Sequence, residues 1–193
     1  QTPEKTQVLG AEDQAEMIKN ALAVRGAEEA RVTIVEFSEY LCPYCKKYVD
    51  ETYDQIMQKY GNQIRYIFRD FPVHGEKAIE IAQAAHCAGE QEKYWEYHDL
   101  LFEKQENLYK AENLEELLCS FASELSLDGG RFSLCLKNDK FAKVVNDNYQ
   151  LGQKMSRNIP RFGTPSFFIN GKAIVGAQPY ETFKTIIEEE LKK

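Results

Sequence analysis

The sequence predicts an α/β fold in which a βαβ unit and a ββα unit are separated by a long helical block. Three observations carry that prediction. A β-branched run, "RVTIVEF", is followed by a helix-like stretch and a second strand-like run, "IRYIFRDF". From Gly75 to about Ile159 the apolar residues recur three and four positions apart, as on helices. Strand character then returns in "GTPSFFIN" and "KAIVGA", joined by Asn170-Gly171, the dipeptide that most strongly marks a tight hairpin. With 193 residues the chain is long enough for one core with a sizeable insertion. The expected division is a polar tail and N-terminal helix over 1–30, a sheet domain from 31–74 and 160–193, and an inserted helical domain over 75–159.

In chain order, the polar tail Gln1–Gln7 is expected to fray. Residues 11–25 place Ile18, Ala21, Leu22 and Arg25 on one helical face, and Gly26 ends the segment. "RVTIVEF" is too continuously apolar for a half-exposed strand, so it should be central and covered on both faces. The next helix keeps Val49, Tyr53, Ile56, Met57 and Tyr60 on one side, and Gly61 closes it. "IRYIFRDF" alternates Ile64, Tyr66 and Phe68 against Arg65 and Arg69, a second strand. A helix joining two adjacent strands over this distance implies a parallel, right-handed βαβ unit. Four amphipathic stretches fill the block that follows. In the last segment Pro179 suits a first helical turn, with Phe183, Ile186, Ile187 and Leu191 facing inward.

Composition narrows the function classes. With 43% hydrophobic and 28% charged residues this is an ordinary globular composition. The net charge of −7 and the lack of a basic stripe with interleaved aromatics argue against a nucleic-acid partner. The longest apolar runs are strand-sized, too short to span a bilayer. The chain starts at Gln1 with no signal peptide and reads as a mature form whose leader is missing.

The chemistry concentrates at Cys42-Pro43-Tyr44-Cys45, where a strand hands over to a helix. A sulfur at that point faces unpaired backbone N–H groups and the positive end of the helix dipole. Both favour the thiolate, the species that attacks disulfides. Cys42 is therefore the expected nucleophile, and Cys45, one turn further in, closes the internal bond. A structural zinc site would need four ligands, usually in paired knuckles. Cys87, Cys119 and Cys135 are scattered over separate helices, and no second CxxC or HxxxH exists, so neither metal nor cofactor is expected. A purely structural CxxC staple is disfavoured as well, because so small a ring is strained and reducible.

Glu36 stands inside an otherwise apolar strand, six residues before Cys42. It reads either as an edge or tip position, or as a buried acid whose raised pKa lets it exchange protons with the deeper thiol. Thr164-Pro165 opens a predicted central strand, where proline is normally excluded. A cis peptide would leave the Thr164 backbone free to pair with an extended peptide; a trans proline opening an edge strand is the other reading. His74, His86 and His98 lack a second ligand at metal spacing and suit surface or packing roles. Trp95, with Tyr94, Tyr97 and Phe102, suits the core of the insertion.

Taken together, "VTIVEFSEYLCPYC", "RDFPVH", "AAHCAGEQEKYWEYHDLLF" and "GTPSFFING" resemble the DsbA-like thiol–disulfide oxidoreductases of the thioredoxin superfamily, in the small soluble Com1- and BdbD-type branch. The resemblance spans roughly residues 30–193. It implies a thioredoxin fold interrupted by a helical insertion. It assigns the nucleophile to Cys42, the resolving thiol to Cys45, the buried acid to Glu36 and the cis-proline loop to Thr164 and Pro165, with Pro43 and Tyr44 in support. Cys87 and Cys135 would form a staple within the helical block, leaving Cys119 free in the core; Cys119–Cys135 is the competing bridge. The implied activity is extracytoplasmic, donating a disulfide to reduced or unfolded secreted proteins and recharged by a membrane redox partner. Isomerase and reductase roles share the fold, and a binding-only module is a more distant reading. The short segment before the first core strand favours a monomeric oxidase over an oligomeric isomerase.

Overall fold

The computed structural model describes residues 7–193, so the expected tail lies outside the described residues except for Gln7. Among the described residues a five-stranded sheet runs in the order β1-β3-β2-β4-β5. Its strands are β1 (Ala23–Gly26), β2 (Val32–Ser38), β3 (Ile64–Asp70), β4 (Ser166–Ile169) and β5 (Lys172–Val175). β2 lies at the centre, parallel to β3 and antiparallel to β4, and it is buried on both faces as its apolar run requires. Between β2 and β3 the chain forms α2 (Pro43–Tyr48), a π-helical turn at Val49–Tyr53 and α3 (Asp54–Tyr60). The π turn adds a residue to the register. Tyr48, Tyr53, Ile56 and Tyr60 thereby stay on the sheet side, against Phe167 and Phe183.

The N-terminal segment departs from expectation. α1 covers only Ala11–Ile18, and residues 23–26 leave the helix to form β1, antiparallel to β3 with Ala23 opposite Phe68. Asn20, at φ 55°, turns the chain, and Met17 is the residue of α1 that is buried. Ile18 and Leu22, expected on one face of a single helix, are 36% and 57% exposed. Tertiary pairing wins because β3 offers a free ladder edge, whereas a short isolated helix is marginal in water. Gly26 sits at φ 90°, and a Cβ there would lie 2.3 Å from the Ile64 carbonyl oxygen. The chain just after the tail is also held. Val8 bridges Lys172 on the β5 edge, and the N–H of Ala173 donates to the Gln7 carbonyl at 2.8 Å.

The helical block comprises α4 (Glu76–Gly89), α5 (Tyr94–Glu103), α6 (Gln105–Lys110), α7 (Leu114–Glu124), α8 (Gly129–Lys137) and α9 (Ala142–Ser156). Its core, around Ile81, Ala85, Tyr97, Leu101, Phe102 and Phe132, is continuous with Phe68 of β3 and with Tyr40, Leu41, Cys42 and Cys45. Cys87 of α4 and Cys135 of α8 are disulfide-bonded across 48 residues of sequence. Cys119 of α7 is free and half-buried at the margin of that core, less enclosed than the resemblance implied. α9 returns to the sheet, where Met155 joins Phe37, Phe71 and Phe168.

A buried polar network ties the block to β3. Asp70 accepts from Asn148 and meets His86, each at 2.7 Å. Arg69 is buried too, despite its place in an alternating strand. Its guanidinium donates to the carbonyls of Met17 and Lys19 and to Asn148 Oδ1. Trp95 packs at the seam of the two cores rather than within one, and its indole N–H donates to the Val24 carbonyl at 3.0 Å.

β4 and β5 form the expected hairpin, with Asn170 at φ 46° and Gly171 at φ 82° supplying the two left-handed residues of its turn. α10 (Tyr180–Leu191) closes the sheet with Phe183 and Ile187 buried; Pro179 is its N-cap rather than part of the first turn.

Candidate active site

Cys42 is the N-cap of α2. Its extended backbone (φ −78°, ψ 119°) ends the loop from β2, and Pro43 opens the helix at the position where a missing N–H costs nothing. The N–H groups of Tyr44 and Cys45 are then left pointing back at the Cys42 sulfur. The Cys42 thiol is lowered to about 6, chiefly by its hydrogen bond with Cys45 and further by Thr164 and those two N–H groups, with burial opposing. Cys45 is fully buried and moves the other way, pushed up first by desolvation and then by Cys42. The two thiols of one motif are thus split into a stabilised thiolate and a protonated partner.

Across the site, Thr164-Pro165 is a cis peptide immediately before β4. Because β4 pairs with β2, this loop lies against the start of α2, and Cys42 Sγ is 3.3 Å from the Thr164 carbonyl oxygen. Pro43 and Tyr44 are exposed at the rim, Tyr44 at 64%.

Glu36 lies on the central strand, fully buried, not at an edge or tip. Desolvation pushes its carboxyl up to about 7, against the lowering effect of Tyr66 and Ser38. The Tyr66 hydroxyl donates to Glu36 Oε2 at 2.5 Å and is 3.0 Å from the Tyr48 hydroxyl. Ser38 lies two residues along the same strand face. Neither its hydroxyl nor Glu36 Oε1 completes a hydrogen bond, and Ser38 lowers both Glu36 and Cys45.

Sequence reasoning missed Ser38, Tyr48 and Tyr66. The period-two alternation that puts Glu36 and Ser38 on one face was a usable signal for the first. Glu39 was missed as well. Its buried carboxylate accepts from the Leu41 N–H at 3.0 Å and meets His74, so that histidine closes over the loop that carries Cys42. Among the described residues no group of three or more His, Cys, Asp or Glu is placed to hold a metal ion.

A sheet whose central strand delivers a CxxC to a helix N-terminus, facing a cis-proline loop, defines the thioredoxin class of protein. Residues 19–189 match the family model described as thioredoxin, and the chain belongs to that family. Its relatives agree with the DsbA-like resemblance. It is 30% identical over 174 residues to disulfide bond formation protein D of Bacillus subtilis, covering 88% of this chain and 77% of that protein. The crystal structure of oxidised BdbD from Bacillus subtilis superposes with a TM-score of 0.76 at 26% identity, covering 97% of this chain and 98% of that one. The chain is also 33% identical over 167 residues to the Na(+)/H(+) antiporter NhaA 1 of Salinispora arenicola. That match takes in 85% of this chain, which spans about a quarter (24%) of the antiporter's length. Among the described residues no helix is long and apolar enough to cross a membrane.

Proposed function

We propose that this chain is an extracytoplasmic thiol–disulfide oxidoreductase working as an oxidase that donates the Cys42–Cys45 disulfide to reduced secreted proteins. The observation that carries the reading is the split between the two thiols, with Cys42 at the N-terminus of α2 lowered to about 6 and buried Cys45 pushed up. Stabilising a thiolate stabilises the reduced protein, which makes the disulfide the better oxidant.

In the forward direction a substrate thiolate attacks Cys42 Sγ. The Cys42–Cys45 bond breaks, and its electron pair leaves on Cys45, which needs a proton because its thiolate is buried. Glu36, raised to about 7 and screened from water, would supply that proton. A second substrate thiolate attacks the substrate sulfur of the mixed disulfide and expels Cys42 as the stabilised thiolate. The substrate leaves with a new disulfide, two electrons poorer. The Thr164 backbone would align the incoming peptide. The Cys87–Cys135 disulfide supports an oxidising compartment. A membrane redox partner would then take up the two electrons to restore the Cys42–Cys45 bond.

Equilibration with glutathione couples, followed through the thiolate absorbance of Cys42, tests the direction. An oxidase should show a potential well above the roughly −270 mV of thioredoxin. A thioredoxin-like potential with an ordinary thiol would replace the oxidase reading with a reductase. Efficient unscrambling of misoxidised ribonuclease without added oxidant would replace it with an isomerase.

A further inference from the structure

The loop that presents Cys42 is held from outside the sheet by one short helix of the insertion. Three consecutive carbonyls, those of Tyr40, Leu41 and Cys42, accept side-chain donors from α6. Gln105 Nε2 donates to the Tyr40 carbonyl at 2.8 Å and to the Cys42 carbonyl at 3.1 Å, and the Tyr109 hydroxyl donates to the Leu41 carbonyl. Gln105 and Tyr109 are four residues apart, so one helical face delivers both. Gln105 is 4% exposed, and its carbonyl partners have little water to replace it.

α6 is itself fixed. Lys77 of α4 donates to the carbonyls of Tyr109 and Ala111 at 3.3 and 3.4 Å, and only Lys104 separates the helix from α5. The Cys42 carbonyl also accepts the first hydrogen bond of α2, from the Lys46 N–H at 3.1 Å. Gln105 thus bonds to the very carbonyl that starts the helix whose N–H groups face the sulfur.

We propose that Gln105 and Tyr109 are positioning residues for Cys42, a clamp from the helical insertion that sets where the sulfur lies relative to the α2 N-terminus and the Thr164 carbonyl. The proposal rests on the thiol-exchange reading above. It also gives the insertion a part in the chemistry. Leaving buried carbonyls unpaired is costly, and the loop would shift to find partners. A shift of about 1 Å at a reacting atom is enough to cost a large factor in rate. The titratable groups that face Cys42 are Cys45 on its own helix, Glu36 of β2, Glu39 of the loop with His74 over it, and Tyr109 of α6. Gln105→Leu alters none of their charges, so any change in Cys42 reactivity must come through geometry.

The test uses the whole chain, as wild type, Gln105→Leu and Tyr109→Phe. The reduced proteins are titrated by thiolate absorbance, and Cys42 attack on a chromogenic aryl disulfide is timed over the same pH range. Gln105→Leu should raise the Cys42 pKa by about one unit, a ten-fold change in proton affinity. It should also slow the pH-independent attack about ten-fold, with Tyr109→Phe moving both in the same direction by less. A lowered melting temperature with the wild-type titration curve and attack rate would reduce the clamp to a structural contact and overturn the proposal. If Gln105→Leu does not fold, Tyr109→Phe decides alone, and wild-type values for its pKa and rate overturn the proposal. An ordinary thiol pKa in the wild type would instead sink the oxidase reading, while the ratio of variant to wild-type attack rates still decides the clamp.

Discussion

The Cys42 sulfur and the Thr164 carbonyl oxygen lie 3.3 Å apart although 122 residues separate them in sequence. A protonated Cys42 can donate to that oxygen, whereas a thiolate cannot, so this carbonyl alone would favour the thiol. What turns the balance is the hydrogen bond with Cys45, helped by the Thr164 side chain and the N–H groups of α2. Thr164→Val removes one donor to the anion. We expect the Cys42 pKa to rise from about 6 by up to about one unit, since a hydrogen bond to a charged group contributes about 1.5–3 kcal/mol and part of it is replaced by water. The disulfide should become less oxidising by about 30 mV per unit. Thiolate titration and glutathione equilibration check both, and an unmoved pKa would leave the Thr164 side chain without a part in tuning.

Glu36→Gln separates the two halves of the exchange. Gln can still accept from Tyr66 but cannot carry a proton to or from Cys45. In the reduced protein the attack of Cys42 on a substrate disulfide should keep its rate, while the steps in which Cys45 attacks or leaves should slow by on the order of ten-fold or more near neutral pH. Rapid acid-quench of the mixed disulfide distinguishes the steps. Equal rates in both would show that water reaches Cys45 unaided.

The same substitution should change stability with a definite pH sign. Burial raises the Glu36 carboxyl from 4.5 to about 7, so its folded-state pKa lies above the unfolded one. The stability associated with the neutral acid is then fully present below about pH 4.5 and is lost as pH rises through about 7. A shift of this size amounts to on the order of 3 kcal/mol at the alkaline end. In the oxidised protein Cys42 does not titrate, which isolates Glu36. Denaturant unfolding should find Glu36→Gln close to wild type near pH 4 and more stable by roughly 2–3 kcal/mol near pH 8. A difference that is flat with pH would mean that the carboxyl is not desolvated.

The sequence exposed what depends on local pattern. The β2 run, the CxxC spacing and the Asn170-Gly171 turn each involve neighbours within a few residues, and the sheet and insertion follow from their order. β1 was hidden because its partner, β3, lies about forty residues ahead, and Ile18 with Leu22 imitate a buried stripe. The surroundings of Cys42 were hidden for the same reason. Gln105 and Tyr109 reach their carbonyls across 63 to 68 residues, and nothing near either marks the contact. Glu36 could be noticed because a carboxylate breaks an apolar run. Tyr66 and Tyr48 could not, since a tyrosine in a strand or on a helix face usually signals only packing.

Gly152 is where α9 meets the sheet, and its missing side chain is what lets the helix approach. A Cβ there would lie 2.4 and 2.6 Å from two ring carbons of Phe71 and 3.2 Å from Phe37. Gly152→Ala should gain about 1 kcal/mol from helix propensity. Against that stands the overpacking of two aromatic rings, typically about 1–3 kcal/mol. The Phe71 ring has little room to yield: it stacks on Tyr149 at 5.2 Å and is held edge-on by Phe37 and Phe162. The clash should therefore win by up to about 2 kcal/mol, lowering the denaturation midpoint without changing its slope. An alanine variant as stable as wild type would mean that α9 can slide on the sheet. In that case the buried contact of Asn148 with Asp70, one helical turn earlier, should weaken as well, and slower amide exchange at the two strand ends would argue against it.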